Sequence, residues 1–194
     1  LALVSAILAT ALSFFAGYAL VRFSFPGRRV LDAFFMSPLL IPAVVFGIAM
    51  LQFLNRMGLY NTFLSLVAAH VIVIIPFAVR AIDASLRDVP RELEWAAMNL
   101  GASRLRALWS VTLPLSLRGV AAGFLFAFIM SFDEVTVTIF MTGPAYQTLP
   151  IRIYNYLSDQ VDPTVAAVSA LLILMSLVLV IILDRIGGLK NFTK

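Results

Sequence analysis

Few side chains in this 194-residue chain could make or break bonds. His70 is the only histidine and there is no cysteine, so neither a histidine-built metal site nor a thiol nucleophile can be assembled. A hydrogen-bonded packing role suits His70 better than a gate. The sequence holds no H-E-x-x-H, no G-x-S-x-G and no G-x-x-x-x-G-K-[ST]. Gly-Gly-Leu-Lys at 187–190 is the nearest approach to the last, and it lacks the spacing that cradles phosphate. Catalysis and nucleotide binding by this chain are therefore poor readings. What remains is the chemistry of attraction and docking. Asp133 and Glu134 are adjacent carboxylates after about 27 Å of apolar helix. They could draw in a cationic solute or touch a partner protein, or sit as a helix-end pair linked to Arg152. The second concentration of polar groups is residues 92–114, ELEWAAMNLGASRLRALWSVTLP.

The elements that must position these residues follow from composition. Hydrophobic residues make up 62% of the chain and charged ones 12%, against about 25% charged in soluble domains. So little polar surface cannot cover a water-soluble globule, and the expected class is an all-α, polytopic membrane bundle. Five apolar runs, at 1–21, 30–54, 62–79, 115–132 and 164–183, each approach the ~20 residues that cross a ~30 Å hydrocarbon core. Helices are the economical choice, because lipid leaves no partner for a free backbone N–H or C=O. If the runs alternate in direction, twelve of the 14 Lys and Arg residues fall on one side. Only Arg56 and Arg152 fall on the other. The positive-inside rule makes the first side cytoplasmic. Segment 92–114 then lies inside, and the loops 55–61 and 134–163 lie outside. The +4 net charge marks a membrane orientation rather than a nucleic-acid partner.

Prolines modify this picture. Pro38, Pro42 and Pro76 fall within the runs, where each breaks or kinks a helix. Pro38 and Pro42, in SPLLIPAVVFG, suit either an unwound pathway segment or a static kink. Arg80 and Asp83 are spaced for an i, i+3 ion pair.

The inner segment has its own local logic. Pro90 suits a helix start, and Leu93, Ala97 and Leu100 recur at helical spacing beside Ala96. Arg91 and Glu94 are spaced to pair at i, i+3. Gly101 fits the left-handed position that ends a helix. Ser103 can cap a second short helix running to Leu113, with Pro114 opening the next span. The small pairs Ala96–Ala97 and Gly101–Ala102 would let another surface approach. Trp95, Met98 and Leu100 add apolar contact. A docking plug and a plain amphipathic loop on the membrane both fit this pattern.

The stretch LEWAAMNLGASRLRALWSVTLPL resembles the EAA loop of permease subunits in binding-protein-dependent ABC importers. Ala96, Ala97, Gly101, Ala102, Leu113 and Pro114 match the family pattern. Trp95 stands where the family has its Glu, and the carboxylate is one residue earlier, at Glu94. The segment SFDEVTVTIFMTGPAYQTLPIRIYNYL, with Asp133–Glu134, Thr142–Gly143–Pro144 and Leu149–Pro150, is similar to the second permease of spermidine/putrescine importers.

The resemblance implies a type I importer permease fold over residues 1–194, with a coupling loop at about 84–114. It also implies a sixth span preceding the five seen here. It implies no cofactor on this chain, with ATP bound by two cytoplasmic ATPase subunits that grip the loop. The further partners would be a second homologous permease, a periplasmic or lipid-anchored solute-binding protein, and membrane lipid. The implied place is the bacterial inner membrane. The implied solute is a polyamine or related organic cation. Phosphonates, opines and amino-acid derivatives are alternatives, as is a secondary transporter or channel that needs no ATPase.

Overall fold

The computed structural model describes residues 1–143, 145–159 and 163–187. Pro144, Lys190 and Lys194 lie outside them. The described residues are helical and contain no strand. Three helices are long and apolar enough to cross a membrane: Ala2–Arg22 (α1), Phe63–Asp88 (α4) and the continuous Arg104–Phe132. The last joins α6 (Arg104–Ala107), a π turn (Leu108–Thr112) and α7 (Leu113–Phe132). The short α5 (Arg91–Asn99) precedes it. After it come the outer helices α8 (Thr138–Met141) and α9 (Leu149–Asp159), and then α10 (Pro163–Gly187), which packs on α7.

The core is the bundle of α1, α4 and α7. Ala6 and Ala9 of α1 share one cluster with Val67, Val71, Ile74 and Ala78 of α4 and with Ala127 of α7. Further along, Phe14 and Val21 share another with Ile82, Leu86 and Leu108. Residue numbers rise together in α1 and α4, so these helices run parallel, while α7 returns between them. The α4–α7 contact is very close. A Cβ on Gly119 would stand 2.1 Å from Ser85 Cβ and 3.2 Å from the Ala81 carbonyl oxygen. One on Gly123 would stand 2.9 Å from Ile82 Cγ1 and 3.2 Å from the Ala78 carbonyl oxygen. This is the G-x-x-x-G device of membrane helices, which gains dispersion contact where lipid gives no hydrophobic drive.

The second apolar run departs from expectation. It is not one straight span but a pair of helices, Arg28–Leu40 and Ala43–Arg56, meeting at 104°. Within the first, α2 (Arg28–Met36) passes into a 3-10 turn (Ser37–Leu40) carrying Pro38. Ile41 is extended, and Pro42 stands at the start of α3 (Ala43–Arg56). Two prolines four residues apart remove two N–H donors and fix two φ angles, so the ladder cannot continue through them. Pro76, by contrast, is held inside the continuous, buried wall of α4. α4 also outlasts its apolar run, projecting to Asp88 on the inner side.

The expected Arg80–Asp83 pair does not form. Asp83 instead binds Arg87, with Nε 2.9 Å from Oδ2, one helical turn on. The Nε of Arg80 donates to Met36 Sδ at 3.1 Å. His70 has the packing role expected of it: it is buried, with Nδ1 2.8 Å from Ser131 Oγ and Nε2 2.8 Å from Thr138 Oγ1. Thr138 donates its hydroxyl proton to the Glu134 carbonyl. Its oxygen therefore accepts from His70, which fixes the proton on Nε2 and makes Nδ1 the acceptor from Ser131.

Valine at Gly119 or Gly123 is expected to push α7 off α4, costing about 1–3 kcal/mol or more at either site. The check is the thermal midpoint and monodispersity of the purified subunit in detergent, where Gly119→Val should fall clearly below the parent. Leu117→Val, at an exposed position of the same helix, serves as a control for the β-branched side chain without crowding.

Candidate functional site at the inner-face elbow

The inner ends of α1, α4 and α6 meet around α5. Pro90, with φ −60°, precedes the first turn of α5. Leu100 closes the helix, and Gly101 follows at φ +91°. The Gly101 N–H donates to the Met98 carbonyl at 2.9 Å, and the Ala102 N–H to the Ala97 carbonyl at 3.1 Å. Those two bonds form a Schellman closure, which needs the left-handed residue that glycine supplies without a Cβ penalty. Ser103 then caps α6, its hydroxyl accepting from the Arg106 N–H at 3.2 Å. Both turn residues match the sequence expectation.

The junction beyond them does not. Pro114 does not begin a separate helix. The chain runs helically from Arg104 to Phe132, and the widened turn Leu108–Thr112 lies just upstream of the proline. Pro114 has no N–H for an α-helical bond to Ser110, and its ring would crowd that carbonyl. A wider turn removes both problems without breaking the rod.

Glu94 is the pivot of the site. It is buried, whereas Leu93, Trp95 and Leu100 are 43%, 54% and 90% exposed. α5 thus buries one carboxylate and no apolar side chain, while Arg91, Glu92 and its large apolar groups stay exposed. Glu94 does not pair with Arg91, as spacing suggested. The Arg22 Nε donates to Glu94 Oε1 at 2.7 Å, and both side chains are about nine-tenths buried or more. Thr112 Oγ1 donates to the same oxygen at 2.7 Å, and the Tyr18 hydroxyl to Oε2 at 3.3 Å. Arg22 also donates to the Val89 carbonyl at 2.9 Å. Arg91 reaches back instead to the Val21 carbonyl. A cavity of about 160 Å³ opens beside this network, bordered by Tyr18, Arg22, Glu94, Trp95, Met98 and Arg104. Arg22 counted in the sequence only toward the sidedness of positive charge, because it lies 72 residues from its partner. It is the first residue after an apolar run.

The structure gathers Glu94, Trp95, Ala96, Ala97, Gly101, Ala102, Leu113 and Pro114 at one end of the bundle. It keeps the other candidates apart. Asp133 closes α7 at the opposite end and is exposed. Glu134 accepts from the Val137 N–H at 2.7 Å and so caps its own turn. Neither pairs with Arg152 among the described residues. An outer cavity of about 430 Å³ lies among Leu1, Phe63, Phe128, Ser131, Phe132 and Tyr146, and neither acidic residue borders it. Pro38 and Pro42 lie at the 104° break, remote from both ends.

Comparison with known proteins agrees with this architecture. Residues 9–189 match the family described as "Binding-protein-dependent transport system inner membrane component". Over 181 residues the chain is 34% identical to the spermidine/putrescine transport system permease protein PotC of Escherichia coli K12, covering 93% of this chain and 69% of that one. Over 162 residues it is 34% identical to the molybdenum transport system permease protein ModB of Haemophilus influenzae, covering 75% and 71%. Among solved structures, the MetNI methionine ABC transporter in inward-facing form superposes with a TM-score of 0.69 at 20% identity, over 99% of this chain and 94% of that one. The all-helical type I permease fold expected from the sequence is thereby shared. The chain belongs to the family of inner membrane components of binding-protein-dependent transport systems, the permease subunits of ABC importers.

Proposed function

We propose that residues 1–194 form one permease domain supplying half of the solute pathway of a polyamine-type ABC importer in the bacterial inner membrane. The elbow at about 84–114 is its coupling loop. The observation that carries this reading is the set of large apolar side chains that the elbow leaves exposed. Leu93, Trp95 and Leu100, at the end of the bundle with most of the cationic residues, are what a soluble partner would cover. Two cytoplasmic ATPases are the partners assigned to it. They bind the ATP, and this chain needs no cofactor. The remaining partners are a second permease, against the largely uncovered apolar surface of α7, and a solute-binding protein at the outer loops. Similarity to PotC along most of the chain supports a polyamine or related organic cation as the solute.

In this mechanism the ATPases close on ATP and carry the elbow with them. The continuous 104–132 helix then transmits that displacement through the membrane as a rod. Rods packed as closely as α4 and α7 tilt together, so the bundle passes between two discrete states rather than deforming smoothly.

The test is copurification of an ATPase with the tagged subunit, followed by uptake of labelled putrescine and spermidine, with molybdate as the competing solute. Uptake of molybdate and not of polyamine would sink the cation assignment while leaving the permease role intact. Gly101→Val should insert normally yet lower uptake about tenfold, because φ near +90° costs a β-branched residue more than 1 kcal/mol and the turn must re-form elsewhere. Gly101→Asn should retain more activity. Normal uptake by the valine variant would refute the account of this turn. At the outer end, Asp133→Asn should raise the half-saturating polyamine concentration a few-fold at low ionic strength and less in high salt, since exposed charges are screened. An unaltered value would remove Asp133 from the solute path.

A further inference from the structure

We infer that Arg22 and Glu94 are positioning residues of the coupling stroke, and that their ion pair is the joint through which α5 moves α1. This rests on the docking reading of the elbow given above. The central observation is that Glu94 is the one buried residue of α5. No apolar side chain of this nine-residue helix enters the core, so hydrophobic packing does not hold it in place. A short helix ending in a glycine turn would swing freely unless side chains tied it down.

Those ties are polar, and they converge on one carboxylate. Arg22 comes from the last turn of α1, Glu94 from α5 and Thr112 from the π turn that feeds α7. The two 2.7 Å bonds on Glu94 Oε1 therefore join three separate elements at one atom. The attachment is also reciprocal. Arg22 of α1 donates to the Val89 carbonyl just ahead of α5, and Arg91 of α5 donates to the Val21 carbonyl in α1. Because the carboxylate is buried, releasing it would strand a charge, so the joint favours staying closed while α5 is displaced. The face of α5 that meets the partner and the face that grips the bundle are thus different faces. Trp95 and Leu100 belong to the first, and Glu94 belongs to the second.

The experiment uses the complete importer in lipid vesicles, with its ATPase and binding protein. Solute imported per ATP hydrolysed is measured alongside disulfide trapping between Asn99→Cys and a cysteine placed on the ATPase surface. The sequence has no cysteine of its own, so with the other subunits made cysteine-free the trapped link identifies Asn99→Cys. Glu94→Gln and Arg22→Gln should each keep the trapped link, while solute per ATP falls about tenfold, as expected for a residue along a coupling route. The double variant should fall no further than the more impaired single one. An unchanged ratio in Glu94→Gln, or a double variant equal to the product of the singles, overturns the joint. If those variants fail to insert, Thr112→Val removes one bond and no charge. It should lower the ratio about threefold, and no change would overturn the inference as well. A parent importer that never traps refutes the docking reading, and the joint with it. A parent that traps while Glu94→Gln does not shows that Glu94 shapes the docking surface, which overturns the joint alone.

Discussion

A carboxylate withdrawn from water must find donors, and Glu94 obtains them from helices that the chain keeps far apart in sequence. Desolvating two charges is costly, and their attraction offsets that cost only when geometry is close and the remaining lone pairs are occupied. Here the 2.7 Å contact with Arg22, a hydroxyl from Thr112 and a phenol from Tyr18 meet that condition. Removing one member of such a pair typically costs about 3–5 kcal/mol. The consequence is geometric as much as energetic. The inner ends of α1, α5 and α7 cannot drift independently while the pair is closed.

Around that fixed point, the remaining features give stiffness along the three-helix bundle and discontinuity elsewhere. The α4–α7 contact sets the bare backbone of Gly119 and Gly123 against Ser85, Ile82 and the carbonyls of Ala81 and Ala78, with no side chain on the α7 side to act as a cushion. The widened turn before Pro114 preserves one rod across a residue that would otherwise end it. The outer ends are tied in a comparable way, by His70 bridging Ser131 of α7 to Thr138 of α8. The second apolar run is the exception. Its 104° break leaves α3 packed through Leu54 with Leu66, Ala69, Val137 and Met141, near the outer end, while α2 stays beside Arg80 nearer the inner one.

Local rules worked where the cause was local. The left-handed Gly101, the Ser103 cap and the broken ladder at Pro38 and Pro42 are each dictated by one or two residues. The same rules failed where a charged group had more than one partner within reach. Arg91 and Asp83 both had an i, i+3 neighbour of opposite charge. Arg91 took a backbone carbonyl of α1 instead, and Asp83 took Arg87. An exposed i, i+3 pair is worth only a few tenths of a kcal/mol, so another partner within reach, in the same helix or across the bundle, readily displaces it. Glu134 likewise caps its own turn, a use that adjacency to Asp133 did not suggest.

Sequence alone determined the class of molecule, the end of the bundle where positive charge gathers and the place of the elbow. Those depend on quantities that add along the chain: apolar length, the sidedness of positive charge and the turn preferences of glycine, serine and proline. Tertiary structure alone decided that Leu93 and Trp95 of α5 stay exposed, that Glu94 faces in, and that Arg22 is its partner. A charge is buried only where a complementary one arrives at the same depth. That coincidence is created when α1 and α5 pack together, and no spacing within either segment encodes it.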